Sequence, residues 1–236
     1  MRIVLLRHGE TDRNATDRFQ AQADTPLNDT GVRQAQVIAR SLRPGRWAAV
    51  YSSPLARAAQ TAAYAAGRLG APHLRVDGLR ERHLGELDGQ DRAAFARQHP
   101  HTMRRLLTDP GYAPPGGESG RAARSRFAAA LADIAEAARD PAAPPVLVVT
   151  HGGVLNLLTR ALTGAVAAPD VLIGTCAAAC VDTAWTSGGR PRAAMRWWNV
   201  APHECEDPPP PAHPLPFVDL DDLIADEPNS KEPNRI

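Results

Sequence analysis

Two histidines in this chain stand in nearly the same setting. Arg7-His8-Gly9-Glu10-Thr11 and Thr150-His151-Gly152-Gly153 each follow a short apolar run, and glycine comes directly after each histidine. A glycine there permits a sharp backbone turn and leaves room for a ligand. One histidine at a strand end is most simply structural, whereas a matched pair suggests chemistry. Two more polar residues stand at comparable points: Arg57 in Ser52-Ser53-Pro54-Leu55-Ala56-Arg57, and Glu81 in Arg80-Glu81-Arg82-His83-Leu84-Gly85. Histidines and arginines gathered with one acid suit phosphoryl transfer without a metal. The transferring group spreads its charge over three oxygens, so the protein's task is positioning and electrostatic stabilisation. Guanidinium forks do this through paired hydrogen bonds.

Other routes to phosphate chemistry lack their residues. A Walker-type loop needs a lysine, and the single lysine, Lys231, lies near the C-terminus. A cysteine nucleophile would need an arginine six residues on, where Cys176, Cys180 and Cys205 have Asp182, Thr186 and Pro211. Asp219-Leu220-Asp221 has no strand before it to present an aspartyl nucleophile, and no His/Asp cluster has two-metal spacing. Histidine remains, with no metal and no cofactor expected.

The elements that must position these residues alternate. Arg2 to Leu6 reads as a buried strand and Thr30 to Leu42 as a helix capped by Thr30. Ala48 to Tyr51 is a second strand, and Pro54 is expected to open a helix reaching Leu69. A third strand is predicted near Leu74 to Val76, then helices between Arg92 and Leu107, and a long helix over Ser119 to Ala138 with Ser119 as its cap. Pro145 to Thr150 is the clearest strand, followed by a helix from Val154 to Leu162 and late strands near Ala177 to Ala184 and Ala193 to Trp198. This alternation predicts an α/β class fold, a three-layer α/β/α sandwich around a mostly parallel central sheet. In such sheets ligands bind at the carboxyl ends of the strands.

The 236 residues suit one domain over 1–202. Residues 203–236 are acidic and proline-rich and predict a flexible tail, with a short helical segment near Asp219 to Ile224. Deleting residues 205–236 is accordingly expected to leave turnover intact. With 27 Lys+Arg against 26 Asp+Glu, the net charge of +1 supplies no field for nucleic acid or an anionic membrane. No apolar run is long enough to span a bilayer or serve as a secretory signal, so a cytoplasmic location is expected. Three cysteines make no disulfide framework, and Cys176 and Cys180 read as buried packing residues.

Taken in order, the motifs resemble the histidine phosphatase superfamily, or phosphoglycerate mutase-like family. Leu6-Arg7-His8-Gly9-Glu10-Thr11, Asn14, Asp24-Thr25-Pro26-Leu27-Asn28, Ser52 to Thr61, Glu81 and Thr150-His151-Gly152-Gly153 carry the resemblance. It implies that His8 attacks phosphorus and carries a phosphohistidine, held by Arg7, Arg57 and a protonated His151. It also implies that Glu81 protonates the leaving group and then activates water, which asks for a carboxyl shifted toward neutrality. Asn14 and Gln20, with Thr11, Gly152 and Arg82, are the implied substrate contacts, Arg82 turning toward substrate and Glu118 helping to shape the pocket. The short stretch from Glu81 to Glu118 and the presence of Gly153, where mutases have asparagine, favour a phosphatase over a mutase. Leu79 to Gly85, Gly116 to Ser119 and Arg196-Trp197-Trp198-Asn199 resemble the glucosyl-3-phosphoglycerate phosphatase group, and a broad phosphomonoesterase fits almost as well. The expected partner is a small phosphorylated substrate, sugar phosphate or phosphoglycerate in type, and the chain is expected to be a monomer or homodimer. A non-catalytic phospho-ligand-binding domain would lack the nucleophile, an arginine or the acid.

Overall fold

The computed structural model describes residues 1–140, 142–164, 173–201 and 215–225. Its centre is a seven-stranded sheet in the order β3-β2-β4-β1-β5-β6-β7. Strand β1 spans Arg2–Arg7, β2 Ala49–Ser52, β3 His73–Arg75 and β4 Val146–Thr150. These four are mutually parallel, as expected of the core. Strands β5 (Ala178–Trp185), β6 (Pro191–Val200) and β7 (Val218–Asp219) continue the sheet in antiparallel steps.

Central position explains composition. Strand β1 lies between β4 and β5, and β4 between β2 and β1, so both edges of each are paired, and helices cover both faces. Ile3, Val4, Leu5 and Leu6 are all buried, as is every residue of β4. A continuous apolar run is what such a doubly covered strand requires. Helices α2 (Asp29–Ser41) and α3 (Ala56–Leu69) belong to one face, where Val4, Leu6, Leu147 and Val149 pack with Ala58, Ala62 and Leu69 of α3. Helices α6 (Gly120–Ala137), α7 (Gly152–Thr163) and α8 (Leu220–Ile224) cover the other, against Ile3, Leu5, Val146 and Val148. The architecture is therefore the expected α/β/α sandwich. Short helices α1 (Asp12–Ala15), α4 (Arg92–Gln98) and α5 (Pro100–Thr108) stand apart from these layers. Phe19, Leu87, Phe95 and Leu106 form a small apolar cluster beneath α4 and α5.

Three boundaries differ from expectation. Helix α2 is capped by Asn28, whose side-chain oxygen accepts from Gly31 N, and not by Thr30. Helix α3 begins at Ala56, after Pro54, with no capping side chain of its own. Instead Asp24 reaches across from another loop to accept from Ala56 N at 2.6 Å.

The third concerns the C-terminal segment. Residues 215–225 do not trail away: Val218–Asp219 pair with Arg192 and Ala193, and the helical segment expected near Asp219 to Ile224 is α8. Leu220 is fully buried, Leu223 nearly so, and both join the main core. Ser125 of α6 donates to the Ile224 carbonyl at 2.8 Å. Two leucines in a proline-rich stretch suffice to dock it. The expectation of a flexible tail thus fails for these residues, while 203–214 and 226–236 lie outside the described ones. Cys180 is buried beside Val4 and Val149, and Cys176, also buried, donates its backbone N–H to the Arg7 carbonyl, so both serve packing as expected. Cys205 lies outside the described residues. No helix among the described residues is long and apolar enough to cross a membrane.

Candidate active site

Each of the four parallel strands delivers a polar residue from its carboxyl end. The register pairs Arg7 with Thr150, so the next residues along, His8 and His151, emerge side by side. His8 N also donates to Thr150 O at 3.0 Å. The two imidazoles meet edge to face, 5.1 Å between ring centres. The loop after β2 leads into α3 and Arg57, and the loop after β3 carries Glu81. Residues far apart in sequence converge because their strands are neighbours.

The partners of His8 fix its tautomer. Nδ1 lies 2.7 Å from the Gly9 carbonyl, which can only accept, so Nδ1 carries the proton. Arg57 Nε, which can only donate, points at Nε2 from 3.2 Å. Nε2 therefore offers a lone pair. Burial above all, then the charges of Arg57 and Arg7, hold the imidazole well below the usual histidine range, against the opposing pull of the Gly9 hydrogen bond. His8 is thus a neutral base at physiological pH.

Arg57 is fully buried and held as a fork: Nη1 donates to Ala23 O and Nη2 to Ala21 O, both at 2.8 Å. Burial brings it down to about 10, Glu81 opposing, so it stays charged. Arg7 donates from Nη1 to Ile173 O at 2.6 Å, while its buried Nε has no protein partner. His151 is completely buried, with no protein partner on either ring nitrogen. Burial first, then Arg57, His8 and Arg7, press it well below the usual range. The expectation of a protonated His151 thus does not describe the protein by itself, because three positive or basic neighbours surround a desolvated ring.

Glu81 is held by main-chain donors. Oε1 accepts from Arg82 N (2.7 Å) and Val154 N (3.0 Å), and Oε2 from Gly153 N (2.8 Å). Two of these belong to the first turn of α7, whose positive end faces the carboxylate. Three bonds are accepted, only one of them by Oε2, so a lone-pair site on Oε2 stays open to a proton. This arrangement also corrects the reading of the glycines. A Cβ on Gly153 would lie 2.5 Å from Glu81 Oε1, one on Gly9 would lie 2.7 Å from Gly31 O, and one on Gly152 would lie 3.3 Å from Arg7 Nε. Their missing side chains make room chiefly for other parts of the protein.

Asn14 and Gln20 line the pocket over His8, with Arg7, Glu81, Gly152 and Gly153. Each turns its carboxamide oxygen toward the Thr11 hydroxyl at 3.0 Å, leaving its NH2 group as the donor. Thr11 is fully buried and is not among the pocket-lining residues; it caps α1 and positions these two. Arg82 lines the pocket too, and its Nε, Nη1 and Nη2 donate to the carbonyls of Glu118, Leu106 and Tyr112, so it ties the covering loops together. Glu118 is not a lining residue: Oε1 accepts from His83 N and from Arg126 Nη2 at 2.6 Å. Arg126, which the sequence reading missed, further donates to the carbonyls of Gly78, Arg80 and Glu81. It clamps the loop that carries the acid. The reading also missed Arg18, Arg92, Asn156 and Arg160, which line the pocket. Only the spacing of Gly153, Asn156 and Arg160 along one face of α7 could have signalled two of them.

A larger groove of about 430 Å³ lies at the opposite ends of the strands, lined by residues such as Met1, Arg2, Trp47 and Asp182. Arg2 and Asp182 pair with each other, and no histidine or glutamate lines it, so the chemistry belongs at the His8 end.

The known proteins that this chain resembles agree. It is 38% identical over 174 residues, 72% of each chain, to a metal-independent phosphoserine phosphatase of Arabidopsis thaliana. It is 39% identical over 167 residues to a glucosyl-3-phosphoglycerate phosphatase of Mycobacterium tuberculosis, covering 68% of this chain and 74% of that one. The structure of mycobacterial glucosyl-3-phosphoglycerate phosphatase Rv2419c with inorganic phosphate superposes with a TM-score of 0.71 at 30% identity, over 86% of this chain and 98% of that one. The profile of the histidine phosphatase superfamily (branch 1) matches residues 3–198, and the chain belongs to that family.

Proposed function

We propose that this phosphatase hydrolyses small phosphomonoesters through a phosphohistidine on His8. The observation that carries the reading is the fixed tautomer of His8, a lone pair on Nε2 facing the Arg57 guanidinium. An entering phosphoryl group takes over the Arg57 N–H and presents phosphorus to the lone pair. The Nε2–P bond forms as the P–O bond to the leaving alcohol breaks. Nδ1–H keeps its bond to Gly9 O, so the positive charge of the phosphoimidazole is shared with that carbonyl.

Arg7 and Arg57 bind the non-bridging oxygens, and the NH2 groups of Asn14 and Gln20 add neutral donors. A phosphate dianion inside this ring favours a proton on His151, which the protein alone disfavours, so His151 becomes a charged donor when substrate arrives. Glu81, protonated for the first step, releases its proton to the departing alkoxide. Its carboxylate then takes a proton from water, whose oxygen attacks phosphorus and expels neutral His8.

The test is hydrolysis of an aryl phosphate in excess chelator by the parent, His8→Ala and Glu81→Gln. The expected result is activity that survives chelator and vanishes in His8→Ala, with acid-labile phosphate trapped on the quenched parent. Activity that survives His8→Ala and is lost to chelator would overturn the mechanism.

A further inference from the structure

The tautomer of the nucleophile depends on one carbonyl. Gly9 O takes the proton of His8 Nδ1 and so leaves the lone pair on Nε2. That oxygen belongs to the peptide unit joining Gly9 to Glu10, and a trans peptide unit is a rigid plane whose N–H and C=O point opposite ways. Whatever holds the Glu10 N–H therefore also aims the Gly9 carbonyl. The holder is Gln34 of α2, 2.8 Å away. An N–H can only donate, so the carboxamide turns its oxygen, Oε1, toward it. Gln34 itself is not a pocket-lining residue.

The start of α2 is built around this contact. Gln34 is half-buried and stands three residues beyond Gly31, on the same face of the helix. A Cβ on Gly31 would lie 2.0 Å from Glu10 O and 2.8 Å from Glu10 N, so the helix backbone rests directly against the residue that supplies this N–H. Asn28, the helix cap, completes the grip. Its backbone N–H donates to Glu10 O at 3.1 Å, and its Nδ2 donates to Glu10 Oε1 at 3.0 Å. The amide, carbonyl and carboxylate of Glu10 thus all end on the first turns of α2. The preceding peptide is held elsewhere: Gly9 N donates to the buried Thr61 Oγ1 at 3.1 Å, and His8 O accepts from Cys176 N at 3.3 Å.

The bonds form a chain from the imidazole to the helix: His8 Nδ1–H to Gly9 O, then Glu10 N–H to Gln34 Oε1. Hydrogen bonds in such a chain polarise one another. As the Nε2–P bond forms, the ring becomes positive, and the Gly9 carbonyl is the acceptor that meets this charge. By accepting at the other end of the same peptide, Gln34 makes that carbonyl the stronger acceptor. Released from Gln34, the peptide could turn its carbonyl away from Nδ1. The proton could then sit on Nε2, where a protonated nitrogen has no lone pair for phosphorus.

Building on the phosphohistidine reading, we infer that Gln34 is a positioning residue for phosphoryl transfer. It holds the Gly9–Glu10 peptide, and through it the His8 tautomer and the charge of the phosphoimidazole, without touching the substrate.

The experiment uses the full chain and compares Gln34→Met, which keeps an unbranched side chain but gives up the amide oxygen, with Gln34→Glu, which keeps an oxygen acceptor at the same reach. Gln34→Met should lose about tenfold in kcat/KM on aryl and alkyl phosphates alike, because both esters need the same nucleophile. Gln34→Glu should recover most of that loss. The inhibition constant for inorganic phosphate should stay within about twofold, since Arg7 and Arg57 are untouched. The decisive readout is the 15N spectrum of histidine-labelled protein, with the His8 signals assigned by their absence from His8→Ala. The parent should show a protonated Nδ1 and a bare Nε2, and Gln34→Met should move both toward a mixture. A lower melting temperature with the tautomer unmoved would make Gln34 merely structural and overturn the inference, leaving the phosphatase reading intact. A loss confined to the alkyl ester, or one as large in Gln34→Glu as in Gln34→Met, would overturn it too. A moved tautomer with full activity on both esters would count against His8 as nucleophile and defeat both.

Discussion

Substituting Gly153 with alanine tests how tightly the acid is placed. The added Cβ would lie 2.5 Å from Glu81 Oε1 and 2.9 Å from both its carboxyl carbon and Oε2. Ordinary contact begins near 3.4 Å, so the carboxylate must retreat by about 0.9 Å. The bonds from Gly153 N and Val154 N, now 2.8 and 3.0 Å, would then stretch beyond useful range. The backbone itself gains, because alanine is favoured over glycine in a helix by about 1 kcal/mol. The two lost bonds to the buried carboxylate cost roughly 1.5–3 kcal/mol each, so Tm should fall and catalysis suffer with it. A misplacement near 1 Å costs about 10²-fold, and this loss should fall on the step that protonates the leaving group. The assay is kcat/KM, which reports phosphoryl transfer to His8, measured on an alkyl and an aryl phosphate with a thermal melt alongside. The alkyl ester should lose about 10²-fold and the aryl ester much less, since its leaving group needs little protonation. Gly152→Ala, whose Cβ comes no nearer than 3.3 Å to any atom it meets, the Arg7 Nε, should lose less on the alkyl ester. Equal losses on both esters, or an unchanged alkyl rate, would refute the assignment of Glu81 as proton donor.

Other perturbations follow from the same geometry. Arg126→Gln loses the clamp on the Gly78, Arg80 and Glu81 carbonyls, and should lower alkyl-ester kcat/KM about tenfold with a smaller effect on the aryl ester. Arg126→Lys, lacking the fork, should rescue little of it. A chain ending at residue 214 forfeits the burial of Leu220 and Leu223. At roughly 1.5–3 kcal/mol per side chain its Tm should fall by about 10 °C, and an unchanged melt would contradict the docked arrangement. Buried neutral His8 and His151 bind protons less readily in the folded chain than in the unfolded one. Stability should therefore be complete above about pH 6.5 and decline below it, by up to about 1.4 kcal/mol per pH unit for each histidine. Urea melts between pH 7 and 5.5 measure that slope. It should flatten in His151→Asn, and an unchanged slope would count against a neutral His151.

What could be read in the sequence was what depends on local pattern. Strands β1 and β4 announce themselves because a strand covered on both faces is apolar throughout, and the repeated His-Gly marks where each ends. Ser119 was legible as a cap because it accepts from Ala122 N, three residues on. The start of α3 was not, since its capping carboxylate, Asp24, comes from a distant loop. The clamping role of Arg126 and the loop-tying bonds of Arg82 were not legible for a related reason: both bond mainly to main-chain carbonyls, which carry no residue identity. The docked C-terminal segment was obscured by its prolines and acids, although two leucines decide its placement. The charge state of His151 depends on which cations the fold gathers around it, and that is a property of strand order.

Strand order also governs when the enzyme can become active. Strand β4 is threaded between β2 and β1, so the sheet has a gap at its centre until the second half of the chain arrives. The pairing of Arg7 with Thr150 spans most of the domain and closes late, because such long-range contacts repay their entropy only once much of the fold is in place. His8 and its first neighbours can be arranged early, yet they lack His151 and the two α7 amides that hold Glu81. Activity thus reports insertion of the central strand, and nascent chains that stop before residue 151 would expose a phosphate-binding loop with no means to turn over.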